Sequence, residues 1–157
     1  MLNDPVVIVG VARTPMGAFQ GDFASLAASD LGAVAIKAAV ERSGVAPEDV
    51  QEVIMGNVLP AGQGQAPARQ ASLKAGLPLA VGCTTVNKMC GSAMKAAMFA
   101  HDLIVAGSAE TLPCAGAATG AGVAARAITT ASPIGCRPAR LGAAPCPAGT
   151  AACGASE

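Results

Sequence analysis

Cys90 is the residue of this chain best placed to do covalent chemistry. It stands in TVNKMCGSAMKAAM, residues 85–98, between a short β-branched run and a long Ala/Met-rich helical pattern. That spacing predicts a thiol within one residue of a helix start. Unpaired N–H groups and the helix dipole there favour an anion. A thiol so placed can act as a nucleophile, and the neighbouring N–H groups can form half of an oxyanion hole. The other reading of the same residue is a small buried hydrophobe, the commonest fate of a free cysteine. A nucleophile of this kind needs a base. The chain contains one histidine, His101. It lies eleven residues along the same predicted helix, which is a rise of about 16 Å, whereas a general base must come within about 3 Å or act through one water. His101 therefore cannot serve Cys90. It falls on the stripe Met94, Ala97, Met98, Ile104, which predicts a partly buried core histidine with Met94 and Met98 as core fillers.

The remaining composition narrows the chemistry. Cys83, Cys90, Cys114, Cys136, Cys146 and Cys153 form no CxxC pair and match no zinc spacing, so no metal is expected. The start MLNDPVVIVG has neither a basic nor a long apolar signal region. A cytosolic chain with reduced thiols is the resulting expectation. Ten basic residues balance ten acidic ones, which argues against nucleic acid or an acidic membrane surface as partner. No run reaches the roughly 18 apolar residues of a membrane span.

The elements that must position Cys90 follow from periodicity. Residues 6–12, VVIVGVA, read as a strand. Ser29 or Asp30 can cap a helix with Leu31, Val34, Ala35 and Ala38 on one face, closed by Gly44. Residues 47–49 make a turn, and residues 50–59 a second strand. Pro67 starts a short helix closed by Gly76. Residues 81–86 read as a third strand, and Gly91 to Ala106 as a third helix, closed by Gly107. Strands alternating with helices predict an α/β fold with a parallel sheet.

After Glu110 the pattern changes. Residues 111–157 hold 15 Ala, 7 Gly, 5 Pro and 4 Cys, so four residue types fill most of the segment. Little there could bury enough apolar area to offset chain entropy. The expectation is an irregular low-complexity tail with no strand. Residues 123–131, VAARAITTA, are its only helical candidate, and Pro133 would stop them. Such a composition also suits GC-rich DNA read out of frame, which sequencing of the parent gene would test.

The segment TVNKMCGSAMKAAM strongly resembles the nucleophile segment of thiolases, in particular the acetoacetyl-CoA type. VVIVGVARTPMGAFQGDFASLAASDLG and VIMGNVLPAGQGQAPARQASLKAGLP resemble that family's first and second strands with their following loops. The resemblance implies an incomplete thiolase N-terminal half-domain over residues 1–110, with about three strands, followed by the tail at 111–157. It implies an acetyl-CoA C-acetyltransferase that condenses or thiolyses acetoacetyl-CoA through a cysteine acyl-enzyme. Cys90 would be the acyl-accepting nucleophile, with its own N–H an oxyanion donor. Acetyl-CoA and acetoacetyl-CoA would be substrates, no separate cofactor is implied, and the family forms homo-oligomers. Lys88, Gly91 and Ser92 match the motif without an assigned role. Gln63, Gly64 and Arg69 match a loop near the family's subunit interface, although a solvated or ion-paired surface residue is the simpler reading of Arg69. Ala93 stands where the family usually has Gly, and Ala66 where it often has Asn. No histidine follows His101, and Cys114, Cys136, Cys146 and Cys153 lack the surroundings of the family's second catalytic cysteine. The alternative reading is therefore a truncated, catalytically inactive thiolase fragment.

Overall fold

The computed structural model of the chain describes residues 6–18, 20–118 and 121–130. Its elements run β1 (Val6–Arg13), α1 (Ala28–Ser43), a 3-10 turn (Pro47–Asp49), β2 (Glu52–Asn57), α2 (Pro67–Lys74), β3 (Gly82–Val86), α3 (Ser92–Val105), β4 (Thr111–Ala118) and β5 (Ala121–Thr130). One sheet takes the order β1-β5-β4-β2-β3. β2 runs parallel to β3 and to β4, while β5 lies antiparallel to both β4 and β1.

Helices cover both faces. β2 is buried on each side, so its apolar residues alternate without a polar interruption. Val53 and Met55 enter one core with Leu31, Ala35, Ile36, Ala39 and Val40 of α1 and Ala68 and Ala71 of α2. Ile54 enters the other with Ala96, Ala100 and Ile104 of α3 and Leu112 and Cys114 of β4. Small residues set the helix distances. A Cβ on Gly10 would lie 2.5 Å from the Ala39 carbonyl oxygen, so β1 and α1 meet only because Gly10 has none. Arg42 then ties the last turn of α1 to β1 through a 2.9 Å bond to the Val11 carbonyl.

The α/β alternation holds, with five strands in place of about three. The sheet continues past Glu110, where an irregular segment was expected. Gln51 draws the chain back beside β2: its N–H donates to the Thr111 carbonyl at 3.2 Å, and its Oε1 accepts the Glu110 N–H. Leu112 and Cys114 then bury completely against α3. Two neighbouring strands supply a ladder that weak local propensity does not. Residues 121–130 are strand where 123–131 had suggested a helix; Val123, Ile128, Thr129 and Thr130 are β-branched and suit it. Of the tail expected over 111–157, residues 131–157 lie outside the described residues.

Smaller corrections concern the helices. The N-cap of α1 is Ala27, not Ser29 or Asp30. Asp30 instead reaches back from the first turn and accepts the Ala27 N–H at 2.9 Å. Val34 is exposed, because the buried stripe of α1 passes through Ile36, Ala39 and Val40. The C-terminus is as expected, with Gly44 left-handed at φ 71°.

Candidate functional site

β3 ends at Val86 and α3 begins at Ser92 with Gly91 as its N-cap. Cys90 therefore sits just outside the helix, in a tight turn, and is exposed. The turn is held from within. Asn87 Oδ1 accepts the Met89 N–H at 3.1 Å, and Asn87 Nδ2 donates to the Val58 carbonyl at 3.4 Å. The Gly91 N–H donates to the Lys88 carbonyl, and the Ser92 N–H to the Met89 carbonyl. The Ser92 hydroxyl accepts the Lys88 N–H at 2.9 Å and donates to the Met89 carbonyl at 2.6 Å. Met89 adopts a left-handed conformation with φ 48°, uncommon for a residue with a side chain of this kind. The Cys90 N–H donates to none of the described residues.

The sheet supports this turn through two glycines. Gly56 of β2 and Gly116 of β4 are register partners. A Cβ on Gly56 would lie 2.6 Å from the Ser92 carbonyl carbon and 2.7 Å from its Cβ, and one on Gly116 would collide with the Ala93 methyl. The start of α3 thus rests on bare backbone.

His101 and the methionines depart from expectation. The His101 side chain is 57% exposed and, among the described residues, pairs only with the adjacent Asp102, its Nδ1 3.3 Å from Oδ1. Met94 and Met98 are also exposed, while Ala96, Ala100 and Ile104 face the core. The Met stripe is the outer face of α3 because β2 and β4 lie under its alanines. With its ring turned outward at the far part of α3, His101 is not brought to Cys90.

Arg69 is no free surface cation. It donates to the Val81 carbonyl at 2.7 Å and to the Leu79 carbonyl at 2.6 Å, anchoring the entry to β3. Gln63 is likewise turned inward: its amide bonds Asn57 and the Leu59 carbonyl at 2.9 and 2.6 Å. Gly64 is left-handed at φ 76°. Ala66, at the N-cap of α2, is also left-handed at φ 47°. An Asn at this position would both tolerate that conformation and cap the helix. Lys74 binds Asp30 at 2.6 Å and Ser29 at 2.9 Å. That contact, and next the Ala27 N–H, hold the Asp30 carboxyl below its ordinary value. Among the described residues, no three His, Cys, Asp or Glu side chains are grouped to hold a metal, and no helix is long and apolar enough to cross a membrane.

The sequence singles out Cys90 but not the side chains that hold its turn. Ser92 and Asn87 were in the motif, but only a turn of known shape shows that both side chains bond back onto it.

A layered α/β half-domain presenting a cysteine at the turn into a sheet-supported helix is the class these observations define. The family description "Thiolase, N-terminal domain" matches residues 6–121. An acetyl-CoA acetyltransferase of Cupriavidus necator is 59% identical over 111 residues, 71% of this chain and 28% of its own length. One from Schizosaccharomyces pombe is 53% identical over 116 residues, 74% of this chain and 29% of its own. The crystal structure of a thiolase from Ascaris suum in complex with coenzyme A superposes with a TM-score of 0.70 at 40% identity, over 71% of this chain and 29% of that one. The chain belongs to the thiolase family. It spans less than a third of the length of these relatives.

Proposed function

We propose that this chain carries the acyl-accepting cysteine of an acetyl-CoA acetyltransferase and that the 157 residues do not turn over alone. The observation that carries the reading is Cys90 itself: exposed, at the start of α3, with an N–H that donates to none of the described residues. Its thiolate would attack the thioester carbonyl of acetyl-CoA, forming a C–S bond as the CoA thiolate leaves, or the 3-keto carbonyl of acetoacetyl-CoA, forming the same bond as the C2–C3 bond breaks and the acetyl-CoA enolate leaves and takes a proton. Either way the acetyl group stays on Cys90. The Cys90 N–H would then serve the carbonyl oxygen as it becomes an oxyanion. The reaction goes no further here, because His101 is out of reach and no other histidine is present. Removing members of a catalytic unit typically removes most of its rate. Self-association belongs to the same proposal, and β3, unpaired on one side among the described residues, offers an edge for it.

The test is a thiolysis assay that follows acetoacetyl-CoA in the presence of free CoA, with mass spectrometry of Cys90. The expected result is at most one acyl group per chain, lost in Cys90→Ala, and no multiple turnover. Sustained turnover would overturn the reading, as would acylation that Cys90→Ala leaves unchanged.

A further inference from the structure

We propose that Ser92 is the positioning residue for Cys90, transmitting the placement of the sheet to the thiol; this rests on the reading of Cys90 as nucleophile. Ser92 is buried, at 3% exposure, although its hydroxyl serves an exposed turn. Its backbone and Cβ lie directly over Gly56, in space that any side chain on β2 would fill. Ser92 is thereby fixed by the sheet. From that position one oxygen reaches across Cys90 in both senses: it accepts from Lys88 and donates to Met89. The two residues before Cys90 are closed onto the residue two after it. Cys90 is then the apex of a ring whose other members are all engaged, and among the described residues its own N–H meets no acceptor. Without the hydroxyl, the Lys88 N–H loses its partner, and the Met89 carbonyl keeps only the Ser92 N–H.

Ser92 touches no reacting atom in this account. It fixes the backbone on either side of Cys90, and with it the direction of the N–H that could stabilise a thiolate or an oxyanion. Asn87 contributes less, because it engages only the Met89 N–H and a peripheral carbonyl.

The experiment is site-resolved alkylation of the full chain with iodoacetamide across a pH series, read by mass spectrometry. The peptide NKMCGS gives the rate of the unplaced thiol. Cys114, fully buried against α3, reports whether the fold is intact. Wild-type Cys90 should react about tenfold faster than the peptide at neutral pH, as a placed thiol does. Ser92→Ala should lose most of that advantage and move its rate–pH profile toward the peptide's, with Cys114 still protected. Asn87→Ala should lose about twofold to threefold, the scale of one exposed hydrogen bond. A Ser92→Ala chain with wild-type rate and profile overturns the positioning role and leaves Cys90 as nucleophile intact. A wild-type Cys90 no faster than the peptide overturns the nucleophile reading itself. If Cys114 becomes labelled in Ser92→Ala, Asn87→Ala decides: a loss with Cys114 protected supports a placed turn, and no loss rejects it.

Discussion

The two connections that lead from a parallel strand into a helix solve one problem in opposite ways. Between β2 and α2 the chain takes nine residues, 58–66. Between β3 and α3 it takes five, 87–91. Each contains a left-handed residue other than glycine close to its helix, Ala66 in the first and Met89 in the second. The longer loop turns its polar groups inward. Gln70 donates to the carbonyls of Gln63 and Gln65, both at 2.8 Å, and Gln63 holds Asn57. The shorter one uses Asn87 and Ser92 to lock its backbone and leaves Cys90 outside. Strain at Ala66 sets the entry angle of a helix, whereas strain at Met89 holds the exposed Cys90 at an apex. Left-handed backbone alone is thus no marker of a site; what matters is which group the constrained turn leaves unengaged.

The comparison can be broken most forcefully from below. Gly56→Ala should displace Ser92 and lower stability by about 3 kcal/mol, measured by urea unfolding, while the loop at 58–66 keeps its protection from protease. Equal cleavage of both connections would mean that they do not move independently. Gln70→Ala acts on the other loop. It should cost about 1–2 kcal/mol and expose residues 58–66 to limited proteolysis, with Cys90 alkylation unchanged. Ala66→Asn should raise stability by about 1 kcal/mol, by relieving the left-handed alanine and supplying a cap; a lower melting temperature would count against the assigned conformation. The smallest effect is electrostatic. Asp30 titrates below its unfolded value of roughly 3.9, so its contribution is complete above about pH 4 and fades as the pH falls through the lower folded value. Because the pair is more than a third exposed, solvent screening limits it to about 0.5 kcal/mol. Lys74→Met should flatten that acid limb without touching either connection.

Much of this was legible in the residues. Pro67 and Gly76 bounded α2, Gly44 and Gly107 closed their helices, and Cys90 stood out because a strand pattern gave way to a helix pattern around it. Strands β4 and β5 were not legible. TLPCAG has a proline and no alternation, and it pairs because Gln51 and β2 lie beside it. The burial of α3 was misjudged for a related reason. Methionine outranks alanine in hydrophobicity, yet a helix resting on glycines needs its small residues inward. Ser92 was the most instructive omission. Serine at a helix start reads as a generic cap, and its bonds to Lys88 and Met89 depend on a turn that periodicity does not describe.

The pairing of Gly56 with Gly116 makes two distant stretches of sequence answer to one another. Both strands leave the same notch, and the first turn of α3 fills it. Alanine at either position would lift the same end of the same helix. Once one substitution has done so, the second meets a space already vacated. The double variant should therefore cost less than the two singles together, a coupling that neighbouring sites show and distant ones do not. In genetic terms the notch is a single locus written in two places.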